Sequence, residues 1–487
     1  MTTLAASGAI PRSLETSVAG ELVDRRIVFS YLVASLFYLG LSILAGFLFS
    51  LQFLQRYPFE GIELFSPGRW RMVHTNGVAY GFIANAFLGA LHWAVPRMTL
   101  RPVLHRALSW FIFWAWQVIV VSTAGGLLLG QAQALEWGET PTWIDPLALV
   151  GLILVAVNFL VPIARTQGPL YVALWYFIAA FIWTILVYAM GNFLPQYFVG
   201  GAAAGAIGGL FIHDLVGLFV TPLGWGLMYY FVPIILRKPV WSHGLSLVGF
   251  WGLAFFYPLT GIHHFLYSPI PLFLQHGAVV TTIAIELVVT TVIINFFMTI
   301  VGRGDALRTS MPIRWFYTGM VFYFTTCLQC AFQTTLTFQK IIHFTDWVVG
   351  HAHLVMFGVF GFWLLGSMVY LIPRVLNAAW YSPVLNSWHF WLTALGTLIM
   401  FFDLLVAGLV QGFMWRDLAH WDDSLVASMP FWLVRTFSGI MIMVGQFLFF
   451  YNVYMTWRWR PPVSTEAPPP TPVMPPQPAI ASYAGRS

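Results

Sequence analysis

Apolar runs of about 20 residues or more, the length an α-helix needs to cross a bilayer, alternate with short polar connections along most of the chain. This pattern predicts an all-α integral membrane protein with about twelve transmembrane helices. The predicted spans are residues 27–54, 72–96, 107–131, 144–164, 170–195, 203–235, 243–268, 274–301, 311–338, 346–372, 385–412 and 430–456.

The composition agrees with a membrane protein. Of the 487 residues, 59% are hydrophobic and only 8% are charged, whereas a soluble domain carries about 25% charged residues. Such a chain cannot cover itself with polar surface, so we expect the lipid bilayer to be its main partner. The net charge of +5 is modest and lies in the loops, which does not indicate nucleic-acid binding.

The twelve spans form one predicted catalytic domain over residues 27–460. Residues 1–26 contain no recognisable cleavable signal peptide and are expected in the cytoplasm. Residues 461–487 are rich in proline and are expected to form a disordered cytoplasmic tail. Arginine and lysine are concentrated in alternate loops, so the positive-inside rule predicts that both termini face the cytoplasm.

Six of the thirteen histidines lie at one predicted depth, in the outer third of the membrane. They come from four spans and are His74, His213, His263, His264, His351 and His353. Ionisable residues inside a membrane are costly and usually functional. Neutral imidazole is a common ligand for copper, iron and zinc, so this convergence favours a metal cluster over six separately satisfied core histidines.

His351 and His353 are the most informative pair. Residues two positions apart on an α-helix diverge by about 200°, so these imidazoles are expected to face opposite sides of one helix. They cannot bind the same ion, but they can hold two metal centres that flank the helix. The pair therefore suggests electron transfer between two hemes across one element.

The histidines occur in a recognisable sequence context. The matching segments are Arg71–Thr75, His213 with Met228–Pro233, Tyr257 with His263 and His264, and His343–Trp347 with His351 and His353. Together they resemble the catalytic subunit of the heme–copper oxidases, and they are most similar to the cbb3-type cytochrome c oxidases. The resemblance covers residues 25–456 and implies the subunit I fold in a bacterial cytoplasmic (inner) membrane.

The resemblance implies a terminal respiratory oxidase that reduces O2 to water with electrons from cytochrome c, coupled to proton uptake and pumping. The implied ligands are His74 and His353 for a low-spin heme b, His351 for a high-spin heme b3, and His213, His263 and His264 for a copper ion, CuB. Arg71, His343, Asp346 and Trp347 would lie beside the heme propionates. Because the chain has no C-x-x-C-H motif for c-type heme, membrane-anchored cytochrome c subunits are the expected electron donors.

Tyr257 precedes His263 at the spacing of the active-site tyrosine in cbb3-type oxidases. The resemblance implies a catalytic role for it and a covalent link to His213, because a tyrosine that gives up an electron and a proton helps to break the O–O bond. Tyr229, Thr221 and Ser246 match the hydroxyl-rich proton path of that subfamily. The alternative is that these hydroxyls bond only to the backbone, as is common in membrane helices.

Three positions depart from the cbb3 pattern. Gln329 stands where a glutamate is usual, Asp214 stands where an asparagine is usual, and Glu286 is an additional acid in the eighth span. The related nitric oxide reductases carry a glutamate near that depth, so reduction of NO to N2O, with iron or copper as second metal, is an alternative function. Tyr257 argues against it, since the familiar nitric oxide reductases lack that tyrosine. A non-catalytic heme gas sensor is a third alternative.

Overall fold

The computed structural model describes residues 22–463, so most of the predicted segment 1–26 and of the predicted tail 461–487 lies outside the described residues. Within this range the chain forms twelve long helices and no strand. They are α1 (Arg25–Leu54), α2 (Pro67–Thr99), α3 (Arg106–Leu128), α4 (Asp145–Ala164), α5 (Val172–Tyr197), α6 (Gly201–Leu236), α7 (His243–Phe265), α8 (Leu272–Ile300), α9 (Met311–Gln333), α10 (Asp346–Leu376), α11 (Pro383–Arg416) and α12 (Trp421–Trp459).

The predicted all-α membrane fold is confirmed. Eleven of these helices are long and apolar enough to cross a membrane, and α9, which is more polar, is of similar length. The boundaries differ most at α12, which begins at Trp421 and not near residue 430. Pro430 lies within this helix, where a proline removes one backbone hydrogen bond without ending the helix.

α2 and α10 lie at the centre of the bundle. In their most apolar segments 89% and 83% of the residues are buried, against 33% to 61% in the other membrane helices. Peripheral helices expose large apolar side chains, such as Phe111, Trp114, Val118 and Val121 on α3. Their spacing of three or four residues places them on one helix face, which is suited to lipid. Three of the predicted metal ligands therefore lie on the helices that are most removed from lipid.

A three-helix unit occurs three times in the bundle, as α2–α4, α6–α8 and α10–α12. The first helix of each unit contains a π-helical segment shortly after a predicted metal ligand: Gly77–Ile83 after His74, Leu215–Val220 after His213, and Leu354–Gly361 after His353. π-Helical segments are rare and frequently mark functional sites. The sequence analysis did not recognise this repeat.

The same contacts join the helices within each of the three units. The first helix ends at a left-handed residue: Leu100, Arg237 or Asn377. A buried asparagine of the third helix then accepts a hydrogen bond from the backbone N–H just before the second helix. The pairs are His105 N to Asn158 at 3.3 Å, Ser242 N to Asn295 at 2.9 Å and Ser382 N to Asn452 at 3.0 Å. The first N–H groups of a helix have no intrahelical partners. Each asparagine side chain accepts a hydrogen bond at this position of the chain.

Both ends of the described chain lie on the same side of the bundle. The backbone N–H of Ala379, which follows α10, donates to Pro461 O at 2.9 Å. Arg25 and Val463 line one cavity. An even number of membrane crossings requires this arrangement, so the structure agrees with the predicted twelve spans.

We predict that Asn452→Ala lowers the thermal stability of the protein in detergent. The Asn452 side chain accepts from Ser382 N and donates to Ser382 O and Asn386 Oδ1, both at 2.9 Å. Its removal leaves buried polar groups without partners, which costs about 1–3 kcal/mol. Gln196→Ala, at an exposed position, is the control. Equal unfolding midpoints for the two variants at one scan rate would contradict a structural role for the asparagine.

Candidate functional site

Three of the predicted ligands form one cluster, in which the ligand nitrogens of His213, His263 and His264 all lie within 4.8 Å of one another. His213 lies on α6, and the other two lie in the 3₁₀ turn Gly261–Phe265 at the end of α7. Nδ1 of His213 is 3.1 Å from Nε2 of His264. Two nitrogens bound to one ion at about 2 Å each lie roughly this far apart, so the cluster fits one shared metal ion.

A hydrogen-bond relay sets the tautomer of His263. The hydroxyl of Thr282, on α8, donates to Ala278 O at 2.6 Å, and its oxygen lies 2.7 Å from Nδ1 of His263. Because the hydroxyl proton is already engaged, His263 donates from Nδ1. Its Nε2 therefore keeps a lone pair that can bind a metal.

The remaining three predicted ligands follow the same rule, since each Nδ1 contacts an oxygen that can only accept. These contacts are Ser42 O at 2.7 Å for His74, Val349 O at 2.8 Å for His353 and Gln329 Oε1 at 2.8 Å for His351. Each Nδ1 therefore carries the proton. Each Nε2 is free to coordinate, which is the usual arrangement of metal-binding histidines.

His351 and His353 face different sides of α10. His351 contacts α9, where its Nε2 lies 3.5 Å from Sγ of Cys330. The ring of His353 lies beside that of His74 on α2, with centroids 6.3 Å apart and planes 25° apart. Imidazoles on opposite sides of one metal ion, with bonds of about 2 Å, have about this centroid separation. The His74–His353 pair therefore fits an axial site for one metal.

Tyr257 lies against the three-histidine cluster. Its ring stacks on that of His213, with centroids 4.7 Å apart and planes 17° apart. A Cβ atom at Gly217 would lie 1.6 Å from the Tyr257 ring, so the absence of a side chain there lets the tyrosine approach α6. Gly217 lies in the π-helical segment Leu215–Val220, which connects the local helix distortion with the position of the tyrosine.

Arg71 pairs with an acid that the sequence analysis did not single out. Its guanidinium lies 3.6 Å from Glu139, in the loop between α3 and α4, and Asn76 donates to the other carboxylate oxygen at 2.8 Å. Burial raises the pKa of Glu139 above its usual value, while the Asn76 hydrogen bond and the Arg71 charge oppose that rise. Arg71 thus has a carboxylate partner within the protein itself.

The other residues predicted beside the propionates lie at the start of α10, and each already has a protein partner. Asp346 accepts from Gln411 at 2.7 Å and Trp432 at 2.8 Å, Trp347 donates to Gln333 at 2.8 Å, and His343 Nδ1 contacts Gln339 Oε1 at 2.9 Å. Burial lowers the pKa of His343 below its usual value, which favours the neutral imidazole at pH 7. The structure thus gives these three residues partners other than the Arg71–Glu139 pair.

The sequence analysis missed Arg435, a buried arginine of α12. It is 7% exposed, its guanidinium lies 5.1 Å from the ring centroid of Phe53, and it is within electrostatic range of His74 and His353. Among the described residues no carboxylate lies within 4.0 Å of it. A buried arginine is costly unless paired, so this guanidinium fits an anionic group of a cofactor bound between the histidines. The sequence signal for this residue is an arginine within an otherwise apolar run.

Two of the three predicted proton-path residues lie together. Tyr176 of α5 stacks on Tyr229 with centroids 5.8 Å apart and donates to Ser246 O at 3.1 Å. The hydroxyl of Ser246 itself bonds to the backbone, to His243 O at 2.6 Å. Thr221 is buried on α6, between His213 and Tyr229 in sequence. Tyr176 is thus a buried hydroxyl in this region that the sequence analysis did not select.

The departures from the cbb3 pattern lie close to the histidine sites. Gln329 is buried beside His351, and its Nε2 has no hydrogen-bond partner in the described residues. The carboxyl of Glu286, on α8, lies beside the thiol of Cys327, and its Oε2 also lacks such a partner. Asp214, next to His213, is buried. A neutral amide therefore contacts His351, while the nearby acid comes from a different helix.

Comparison with known proteins identifies similar chains. The family model described as Cytochrome C and Quinol oxidase polypeptide I matches residues 26–441. Cytochrome c oxidase subunit 1 of Rhodobacter capsulatus is 30% identical over 420 residues, covering 82% of this chain and 79% of the relative. The cbb3-type cytochrome c oxidase subunit CcoN1 of Stutzerimonas stutzeri is 30% identical over 430 residues, covering 84% and 90%.

A solved structure supports the fold independently. The cryo-electron microscopy structure of a heme–copper terminal oxidase dimer matches with a TM-score of 0.74 and 14% identity, covering 93% of this chain and 86% of that chain. At this identity the likeness concerns the fold alone. The twelve-helix arrangement described above is therefore shared with a solved protein.

We predict that Gly46→Ala displaces His74. A Cβ atom at this position of α1 would lie 2.6 Å from Nδ1 of His74, so the ring would have to leave its hydrogen bond with Ser42 O. Near-complete loss of low-spin heme absorption is expected in purified protein. Gly439→Ala, whose Cβ would lie 3.6 Å from its nearest neighbour, is the control. A normal low-spin spectrum in the Gly46 variant would contradict the assigned place of His74.

Proposed function

The chain belongs to the cytochrome c and quinol oxidase polypeptide I family, and from this we propose that it reduces O2 to water at a heme b3–CuB centre. It is an oxidoreductase of respiratory electron transport and the catalytic subunit of a terminal oxidase, with heme and copper as cofactors. Its many membrane helices and its bacterial relatives agree with a multi-pass protein of a bacterial inner membrane.

Two groups of histidines would hold the cofactors. His74 and His353 would bind a low-spin heme b, His351 a high-spin heme b3, and His213, His263 and His264 CuB. The hemes supply electron transfer, and the heme–copper pair supplies a site where O2 is bound and reduced. His74, His263, His351 and His353 contribute Nε2 atoms, because the Nδ1 atom of each carries the proton. Arg435 contributes a positive charge beside the His74–His353 pair.

The observation that carries the proposal is the placement of His351 and His353 on α10. His353 is paired with His74. His351 instead contacts α9 and lies within electrostatic range of His264 in the three-histidine cluster. Separately satisfied core histidines have no reason to divide between two such sites. One short segment of α10 would thus supply a ligand to each of two hemes, one on either side of the helix.

Tyr257 would be the catalytic tyrosine. Its ring lies on His213, which turns Nδ1 toward His264 and so leaves Nε2 for the covalent link that the resemblance implies. A phenol beside the three imidazoles that would hold CuB can give up both an electron and a proton. Breakage of the O–O bond needs both, so the position of Tyr257 supports oxygen reduction.

Protons would enter from the side on which both chain ends lie, which the positive-inside pattern makes the cytoplasm. Tyr229 and Ser246 meet at Tyr176 on that side, and Thr221 lies further along α6 toward His213. We propose that these hydroxyl groups form the inner part of the proton path. Because the sequence contains no c-type heme motif, electrons would come from membrane-anchored cytochrome c subunits.

Reduction of NO to N2O is the second candidate function. Gln329, rather than a carboxylate, contacts His351, and Glu286 adds an acid beside Cys327 on the same side of the site. Joining two NO molecules needs no tyrosine, so the stacking of Tyr257 on His213 favours O2 as the substrate. The convergence of three imidazoles on one position favours catalysis over gas sensing.

Metal analysis of the purified protein, combined with turnover on O2 and on NO, tests the proposal. An oxidase is expected to contain copper as well as heme and to consume O2 faster than NO when supplied with reduced cytochrome c. Iron in place of copper, with brisk NO consumption and negligible O2 uptake, would establish the second candidate instead. Heme without turnover on either gas would leave only a sensor.

We predict that Gly217→Ala abolishes most O2 reduction while both heme spectra are retained. The new Cβ would overlap the Tyr257 ring and push the tyrosine away from His213, but neither heme ligand set contacts this position. Gly205→Ala on the same helix, with no atom within 4 Å of its Cβ, should keep wild-type activity. Full O2 turnover in the Gly217 variant would show that Tyr257 is not needed at His213.

A further inference from the structure

A cavity of about 680 Å³ lies at the end of the bundle opposite the histidines, where both described chain ends meet. Three arginines line it, and we call them the cavity arginines: Arg25 at the start of α1, Arg97 near the end of α2 and Arg374 near the end of α10. Among the described residues, no aspartate or glutamate lines the cavity. Three helices therefore direct positive charge toward one space.

Aromatic rings hold two of the cavity arginines in place. The guanidinium of Arg97 lies 4.8 Å from the ring centroid of Trp93. That of Arg374 lies 3.6 Å from the ring centroid of Tyr370 and donates to Tyr370 O at 2.8 Å. Stacking of this kind orients a guanidinium without neutralising it. Most of their N–H donors thus remain available to an external acceptor.

Two other arginines on this side of the bundle have anionic partners. Arg106 pairs with Asp24 at 2.6 Å, and Arg303 pairs with Asp305 at 3.6 Å. In the part of the chain that the structure describes, no carboxylate lies within 4.0 Å of a cavity arginine. The positive-inside rule accounts for arginines on this side, and the feature it does not explain is that three of them surround a single cavity.

The start of α9 adds further donors to the same cavity. Residues 309–312 line it, and the side chain of Ser310, which precedes α9, makes no capping hydrogen bond. Backbone N–H groups in the first turn of an uncapped helix lack intrahelical acceptors. The positive end of the helix dipole also favours an anion there. The helix start supplements the cavity arginines, whose charge is the main feature of the site.

We propose that this cavity binds an anion that carries two or more phosphate groups. Arginine engages phosphate oxygens through parallel N–H donors, and three arginines match more charge than one phosphate provides. The cavity volume lies within the range of small-ligand sites, roughly 300–1,000 Å³. A nucleoside diphosphate or triphosphate and a phospholipid with two phosphates share this chemistry, and the experiment below distinguishes these sources.

The test uses the full-length protein in phosphatidylcholine nanodiscs, titrated calorimetrically with inorganic pyrophosphate. We expect saturable binding that weakens by at least about tenfold, the effect of losing one charge-assisted hydrogen bond, in the double variant Arg97→Gln/Arg374→Gln. The matched control is Arg101→Gln/Arg165→Gln, which removes the same charge from the same side of the bundle outside the cavity. The control should bind pyrophosphate as the wild type does.

A second set of nanodiscs, which also contain cardiolipin, identifies the source of the phosphates. Unchanged pyrophosphate affinity in these discs indicates a soluble ligand, whereas competition by cardiolipin indicates a lipid headgroup. Either result supports the proposal. The absence of saturable pyrophosphate binding in phosphatidylcholine nanodiscs, or an equal loss of affinity in the two double variants, would overturn it.

Discussion

Two imidazoles separated by one residue on a helix cannot reach the same metal ion, and the centre of this protein depends on that constraint. His351 and His353 must each find partners on a different side of α10. On one side His353 meets His74 of α2, and on the other His351 meets α9 and the cluster of His213, His263 and His264. α10 therefore has to be central and buried, and the surrounding helices supply the remaining ligands from both sides.

Burial adds a second requirement, because a polar atom inside the bundle has little water to bond with. The Nδ1 protons of His74, His263, His351 and His353 are therefore accepted by a carbonyl, an amide oxygen or a hydroxyl, and this fixes the nitrogen that is left for a metal. The same reasoning applies to Arg435. Among the described residues no carboxylate lies within 4.0 Å of this guanidinium, and a further anion next to His74 and His353 would stabilise it, which agrees with a cofactor that carries carboxylates.

The sequence predicts much of this arrangement for physical reasons. Span lengths follow from bilayer thickness, and the spacing of His351 and His353 determines that they diverge. Other features depend on contacts that no local pattern reveals. Pro430 does not end α12, Gln329 reaches His351 from another helix, and the approach of Tyr257 requires Gly217. The threefold repeat was visible in principle, since similar proline-containing helix ends recur in the chain, but its asparagine contacts join residues far apart in sequence.

The spectra of two single variants, His351→Ala and His353→Ala, test the central claim most directly. If α10 separates two heme sites, His351→Ala loses the high-spin heme and retains the low-spin spectrum, and His353→Ala does the reverse. Optical and electron paramagnetic resonance spectra of the purified variants distinguish the two forms. Simultaneous loss of both signals in each variant, from protein that remains folded, would contradict the assignment of the two histidines to separate sites.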